Sequence, residues 1–162
     1  MDKSRQLQTI GWREWVSLPE VRIPAIKAKI DTGARTSALH AFHLDEFDQD
    51  GEPFVRFKIH PMQRSFDIEL QCTARIVDER IVRDSGGHAE KRYVIRTPFC
   101  FGGGCWPIEI TLTSREDMLF KMLIGRSAIV AAAICVDPGR SFTLGRTLAR
   151  AYAKPVMQGV ND

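Results

Sequence analysis

Alternation of apolar and polar residues limits what this chain can fold into more than any other feature. Ile26, Ala28 and Ile30 alternate with Lys27 and Lys29 and end on Asp31. Val55, Phe57 and Ile59 alternate with Arg56, Lys58 and His60, and Phe66, Ile68 and Leu70 with Asp67, Glu69 and Gln71. Trp106, Ile108, Ile110 and Leu112 alternate with Pro107, Glu109, Thr111 and Thr113. A period of two over five or more residues predicts half-buried strands. Turn sequences separate the runs: Asp50-Gly51, Ser85-Gly86-Gly87, Gly102-Gly103-Gly104 and Asp137-Pro138-Gly139. Short strands at this spacing predict an all-β domain, closed or sandwiched. One short helix is expected over 128–133, which is rich in alanine and preceded by Ser127 as a cap. A further helical turn is expected over 147–154. The chain divides into a flexible N-terminus (1–8), one domain (9–146) and a C-terminal tail (147–162) with frayed last residues.

Composition narrows the partners. At 162 residues the chain suits one domain with a sizeable core. Lysine and arginine exceed aspartate and glutamate by 23 − 20 = 3 and are spread along the chain, which argues against nucleic acid and is compatible with an acidic peptide. No run reaches the ~18 apolar residues of a membrane helix. Residues 1–8 are polar without an apolar signal core, so the cytoplasm is the default expectation. Cys72, Cys100, Cys105 and Cys135 form no CxxC pair and are expected as thiols, with Cys72 and Cys135 as small core residues. Trp12, Trp15 and Trp106 are expected in core or interface packing.

The chemistry centres on Asp31-Thr32-Gly33-Ala34. A strand delivers an aspartate into a turn, where glycine permits a tight bend and the threonine hydroxyl can fix it. Alone, so short a pattern reads first as an Asx-type turn without chemistry. About ninety residues later, the apolar Met122-Leu123-Ile124 runs into Gly125-Arg126 and then the expected helix. Together the two segments resemble the retropepsins, the dimeric aspartic proteases of retroviruses. The resemblance implies a closed acid-protease barrel in which the second segment crosses the strand carrying the catalytic aspartate. Asp31 is then catalytic, with Thr32, Gly33, Ala34, Gly125 and Arg126 supporting it. A glycine hairpin over Ser85, Gly86, Gly87 and His88 takes the place of the flap that closes over a peptide in that family. With a single triplet, two copies of Asp31 meet only across a two-fold axis, so a homodimer is implied. The chain departs from the viral pattern in carrying Arg35, Thr36 and Ser37 after the triplet, where acids are common, and no acidic partner for Arg126 is evident. Arg35 either pairs with an acidic side chain of the substrate or faces solvent.

Longer blocks, Gly11 to Val16, Ile26 to His40 and Met118 to Arg126, are similar to a bacterial family often labelled "ATP-dependent zinc protease", over roughly residues 9–146. Its members accompany ATP-grasp ligases that add glutamates to a protein tail, which implies trimming or maturation of glutamate-rich tails. The residues themselves offer little for the zinc or the nucleotide. His-Glu-x-x-His and the phosphate-loop pattern are both absent. His40 and His43 are three apart, a spacing that suits two ligands on a helical face with Asp45 nearby, and Cys100 and Cys105 bracket a glycine run. No metal and no cofactor are expected. The reading is an aspartic endopeptidase acting on a peptide or protein. Its alternatives are a non-catalytic peptide-binding module on the same fold and a zinc-dependent hydrolase.

Overall fold

The computed structural model describes residues 6–83 and 86–152. Its strands are β1 (Gln8–Gly11), β2 (Arg13–Leu18), β3 (Ile23–Ile30), β4 (Ser37–His40), β5 (Phe42–Gln49), β6 (Glu52–Ile59), β7 (Leu70–Arg83), β8 (Ala89–Phe101), β9 (Gly104–Thr113), β10 (Met122–Ile124) and β11 (Ile134–Asp137). One helix, α1 (Arg126–Ala131), follows β10, and 3-10 turns lie at Pro19–Val21 and Thr147–Arg150. More than half of the described residues are strand, as the alternation predicts.

Nine strands form one sheet in the order β2-β3-β10-β4-β9-β8-β7-β6-β5. The sheet turns back on itself where Ser17 of β2 pairs with Cys100 of β8. That seam is a single residue pair, so the expected barrel is met as a ring of strands without a continuous closing ladder. β1 and β11 form a separate parallel pair. The apolar faces of the strands meet inside, with Ile26, Leu39, Phe57, Ile95, Phe99, Ile110, Met122 and Ile124 fully buried. Each such side chain contributes about 1.5–3 kcal/mol relative to exposure.

One feature of this topology builds the site. β3 and β4 are consecutive in sequence but not adjacent, because β10 lies between them, parallel to β3 and antiparallel to β4. Residues 31–36 must therefore cross over the C-terminal end of β10, where Gly125 emerges.

Several expectations need correction. Residues 66–69 are not strand, and Phe66 is largely exposed. The β6–β7 ladder ends at Ile59 with Leu70, so the residues between them are the connection and have no ladder to join. The helix begins at Arg126 with Gly125 as N-cap, and no side chain caps it. The Ser127 hydroxyl instead donates to the Arg35 carbonyl at 2.9 Å. The tail forms only the short turn Thr147–Arg150, and residues 153–162 lie outside those described. Cys100 and Cys105 are directly opposed across the β8–β9 hairpin and are joined as a disulfide, not thiols. Cys72 is buried as expected, its thiol pushed up to about 12 by desolvation, but Cys135 is exposed.

Candidate active site at the Asp31 turn

Asp31 leaves β3 with its amide donating to the Ile124 carbonyl at 2.8 Å, so the ladder to β10 fixes the backbone up to the aspartate itself. Its side chain is half-buried. Carboxylate Oδ1 accepts the Gly33 amide at 2.9 Å, closing an Asx-type turn. Gly33 does not use left-handed backbone. A side chain there would instead crowd Oδ1, since a Cβ would lie 3.2 Å from it.

The start of α1 grips this turn from below. The amides of Arg126 and Ser127 donate to the carbonyls of Ala34 (2.8 Å) and Arg35 (3.1 Å). Arg126 Nη1 donates to the carbonyls of Thr32 (3.0 Å) and Gly33 (3.1 Å). The absence of an acid near Arg126 in the sequence is explained: its partners are main-chain oxygens, invisible to a search by side-chain type. The Gly125 amide donates to Ser37 Oγ at 3.0 Å. A Cβ on Gly125 would lie 2.5 Å from the Thr36 carbonyl carbon and oxygen, so the crossing tolerates only glycine at this separation.

Beside the turn is a cleft whose lining includes Arg35, Arg80, Arg92, Glu109 and Ser127. Arg80 and Arg92 come from the long β7–β8 hairpin, the element proposed from sequence as a flap. Gly86, Gly87 and His88 lie between those strands and are exposed. Ser85, also proposed for the flap, lies outside the described residues. The structure thus brings Thr32, Gly33, Ala34, Gly125 and Arg126 together around Asp31 and sets Arg35 in a cleft shared with the hairpin.

The metal-ligand spacing does not survive folding. His40 ends β4 and is buried, whereas His43 lies exposed in β5, a strand and not a helix. Among the described residues no group of three His, Cys, Asp or Glu side chains converges as ion ligands.

Sequence reasoning missed Glu14. It is fully buried, and its carboxylate accepts the Gly11 amide (2.9 Å), the Thr143 amide and hydroxyl (3.1 Å each) and the Leu144 amide (3.1 Å). A glutamate between Trp12-Arg13 and Trp15 reads as a polar strand position. Three of its four donors come from residues 129 and 130 positions away.

Residues 9–147 match the RimB-like family, described as "Retropepsin-like aspartic endopeptidase RimB". The chain belongs to this family. Curated relatives carry a different name. A "Probable alpha-L-glutamate ligase" of Shewanella pealeana is 46% identical over 136 residues, 84% of this chain and 30% of that protein. One of Desulfotalea psychrophila is 42% identical over 149 residues, 90% of this chain and 32% of that protein. This RimB-like chain therefore spans about a third of the length of those relatives. Among solved structures, a Legionella pneumophila protein of unknown function matches with a TM-score of 0.73 and 27% identity, covering 86% of this chain and 99% of that one. No helix among the described residues is long and apolar enough to cross a membrane.

Proposed function

We propose that the chain is an aspartic peptidase that works as a homodimer, with Asp31 of each copy forming the catalytic pair. The observation that carries this reading is the bracing of Asp31. Its amide is tied to β10, its Oδ1 to the Gly33 amide, and the turn that holds it to Arg126. A catalytic carboxylate needs such rigidity, because small misplacements cost large factors in rate.

Two carboxylates about 3 Å apart cannot both ionise and share one proton. The ionised member takes a proton from water, whose oxygen bonds to the peptide carbonyl carbon. The protonated member gives its proton to the carbonyl oxygen. Collapse of the tetrahedral intermediate breaks the C–N bond, with a proton passing to the departing amine. Activity is then bell-shaped in pH, because the pair works with one proton and not with none or two. No step requires a metal or nucleotide.

The substrate reading follows from the relatives. Proteins three times longer that contain this domain are named for glutamate ligation, which supports a role in trimming glutamate-rich tails made by such a ligase. The other reading, a peptide-binding module, rests on the presence of a single Asp31 in each chain.

The test compares the parent chain with Asp31→Asn on a glutamate-tailed peptide and on an unbiased peptide library, in chelator, from about pH 4 to 8. Cleavage by the parent and none by the variant is the expected result. Equal cleavage by both would reduce Asp31 to a turn residue. Cleavage that requires added zinc would point to a metal hydrolase.

A further inference from the structure

The cleft reached by Arg35 and Thr36, at the end of the crossing that begins with Asp31, has a volume of about 520 Å³, and its charged lining is three arginines and one acid, Glu109. Its lining therefore carries +3 − 1 = +2. Asp78 and Glu90, the acids bonded to Arg80 and Arg92, are not part of that lining, so the groups that face the concavity are mainly cationic.

Arg80 and Arg92 stand directly opposite each other on the β7–β8 ladder. Like charges in that relation are destabilising, and the strand pairing itself gives no reason for them. The fold offsets the cost locally. Arg80 Nε donates to Asp78 at 3.1 Å and its terminal nitrogen to Glu109 at 2.9 Å, while Arg92 Nε donates to Glu90 at 3.1 Å. Asp78 and Glu90 each sit two residues before their arginine, on the same strand face. They brace the two guanidiniums in place without matching the five donors each one carries. Arg92 is the deeper of the pair, with 18% of its side chain exposed against 36% for Arg80, so a charge partner there is less screened. Arg35 enters from the other wall, its carbonyl pinned by the amide and hydroxyl of Ser127.

We propose that Arg80 and Arg92, with Arg35 facing them, form a carboxylate clamp that holds an acidic group of the peptide next to the Asp31 turn. Guanidinium forks suit this task because they bind a carboxylate through two parallel bonds. Glu109 occupies part of Arg80 in the free chain and acts as an internal competitor for the incoming carboxylate. The proposal rests on the peptide-cleft reading but not on catalysis, so it is tested by binding. The carboxylate is either a side chain or the free end of the peptide, and both have the same chemistry.

The experiment measures fluorescence anisotropy of labelled hexaglutamate and hexaglutamine, each with a free or an amidated C-terminus, on the Asp31→Asn chain. Hexaglutamate should bind about tenfold or more tightly than amidated hexaglutamine, and Arg80→Gln or Arg92→Gln should each remove about tenfold of that preference. Glu109→Gln should tighten hexaglutamate binding several-fold, a gain that misfolding cannot imitate. A preference that survives amidation assigns the clamp to side-chain carboxylates. One that vanishes on amidation, equally for both peptides, assigns it to the chain end. Equal binding of all four peptides, no binding of any, or arginine variants that retain the full preference would overturn the clamp. Loss of cleavage in Asp31→Asn with the clamp intact, or the reverse, separates this proposal from the peptidase reading.

Discussion

Gly125 is needed for a crossing and not for a torsion. Its φ of −90° and ψ of 174° suit any residue, yet a methyl group there would meet the Thr36 carbonyl at 2.5 Å. The methyl position is fixed by the backbone of residue 125 and the carbonyl it meets is main chain, so neither can rotate away. Gly125→Ala should lower stability by about 1–3 kcal/mol, the usual range for an overfilled site. Cleavage should fall further than stability does, because the segment pushed aside carries Asp31 at its start, and a shift of about 1 Å costs roughly a hundredfold in rate. Urea midpoints and kcat/KM on folded protein would check this. A variant with ordinary activity would mean that the 31–36 crossing is looser than its geometry implies. At this scale the sequence was legible where a side chain does the work, as with Asp31 in its turn. It was not legible where main chain does the work, as with the carbonyls that receive Arg126.

Elements were legible in proportion to how fully their partners follow from local pattern. β3, β6 and β9 were found by alternation because alternation records a half-buried face. The same pattern misled at Phe66 to Leu70, because a strand also needs a neighbour and the β6–β7 ladder stops at Leu70. The order of strands was not readable from alternation, since β10 reaches its place between β3 and β4 from about ninety residues away; only the family resemblance set that segment across the strand of Asp31. Glu14 belongs to this class. Its carboxylate joins β2 to residues 143 and 144, and β1 and β11 pair alongside. Glu14→Gln should cost about 1.5–3 kcal/mol, because an amide nitrogen would face a donor where a charged acceptor stood. The loss should show as a lower thermal midpoint and as faster hydrogen exchange at Thr143 and Leu144, whose amides it receives. Unchanged exchange at those two amides would mean that the segment is held by other contacts.

For the molecule as a whole, one buried histidine ties stability to pH. His40 is buried, with 3% of its surface exposed, and its Nδ1 has no partner among the described residues. Burial lowers its pKa below the ordinary 6.5, and nearby Lys121 lowers it further, outweighing the Thr113 backbone and Glu116, which act in the other direction. The unfolded chain therefore binds a proton at His40 before the folded one does. Stability from this residue is fully present above about pH 6.5 and is lost progressively as pH falls from there toward the lowered folded value. Glu69 is held down chiefly by its bond to Lys58, and its contribution fades only below the ordinary 4.5, so the two losses fall in different windows. The thermal midpoint should be flat near neutrality and drop on acidification through pH 6. His40→Phe keeps a ring against Phe42, which His40 stacks on in the parent chain, and removes the titrating group. In this variant the midpoint should stay level across that window and decline only when carboxylates protonate. If the two profiles superimpose, the acid sensitivity lies elsewhere. If they diverge as expected, one buried histidine sets the acid limit of the fold, ahead of the carboxylates.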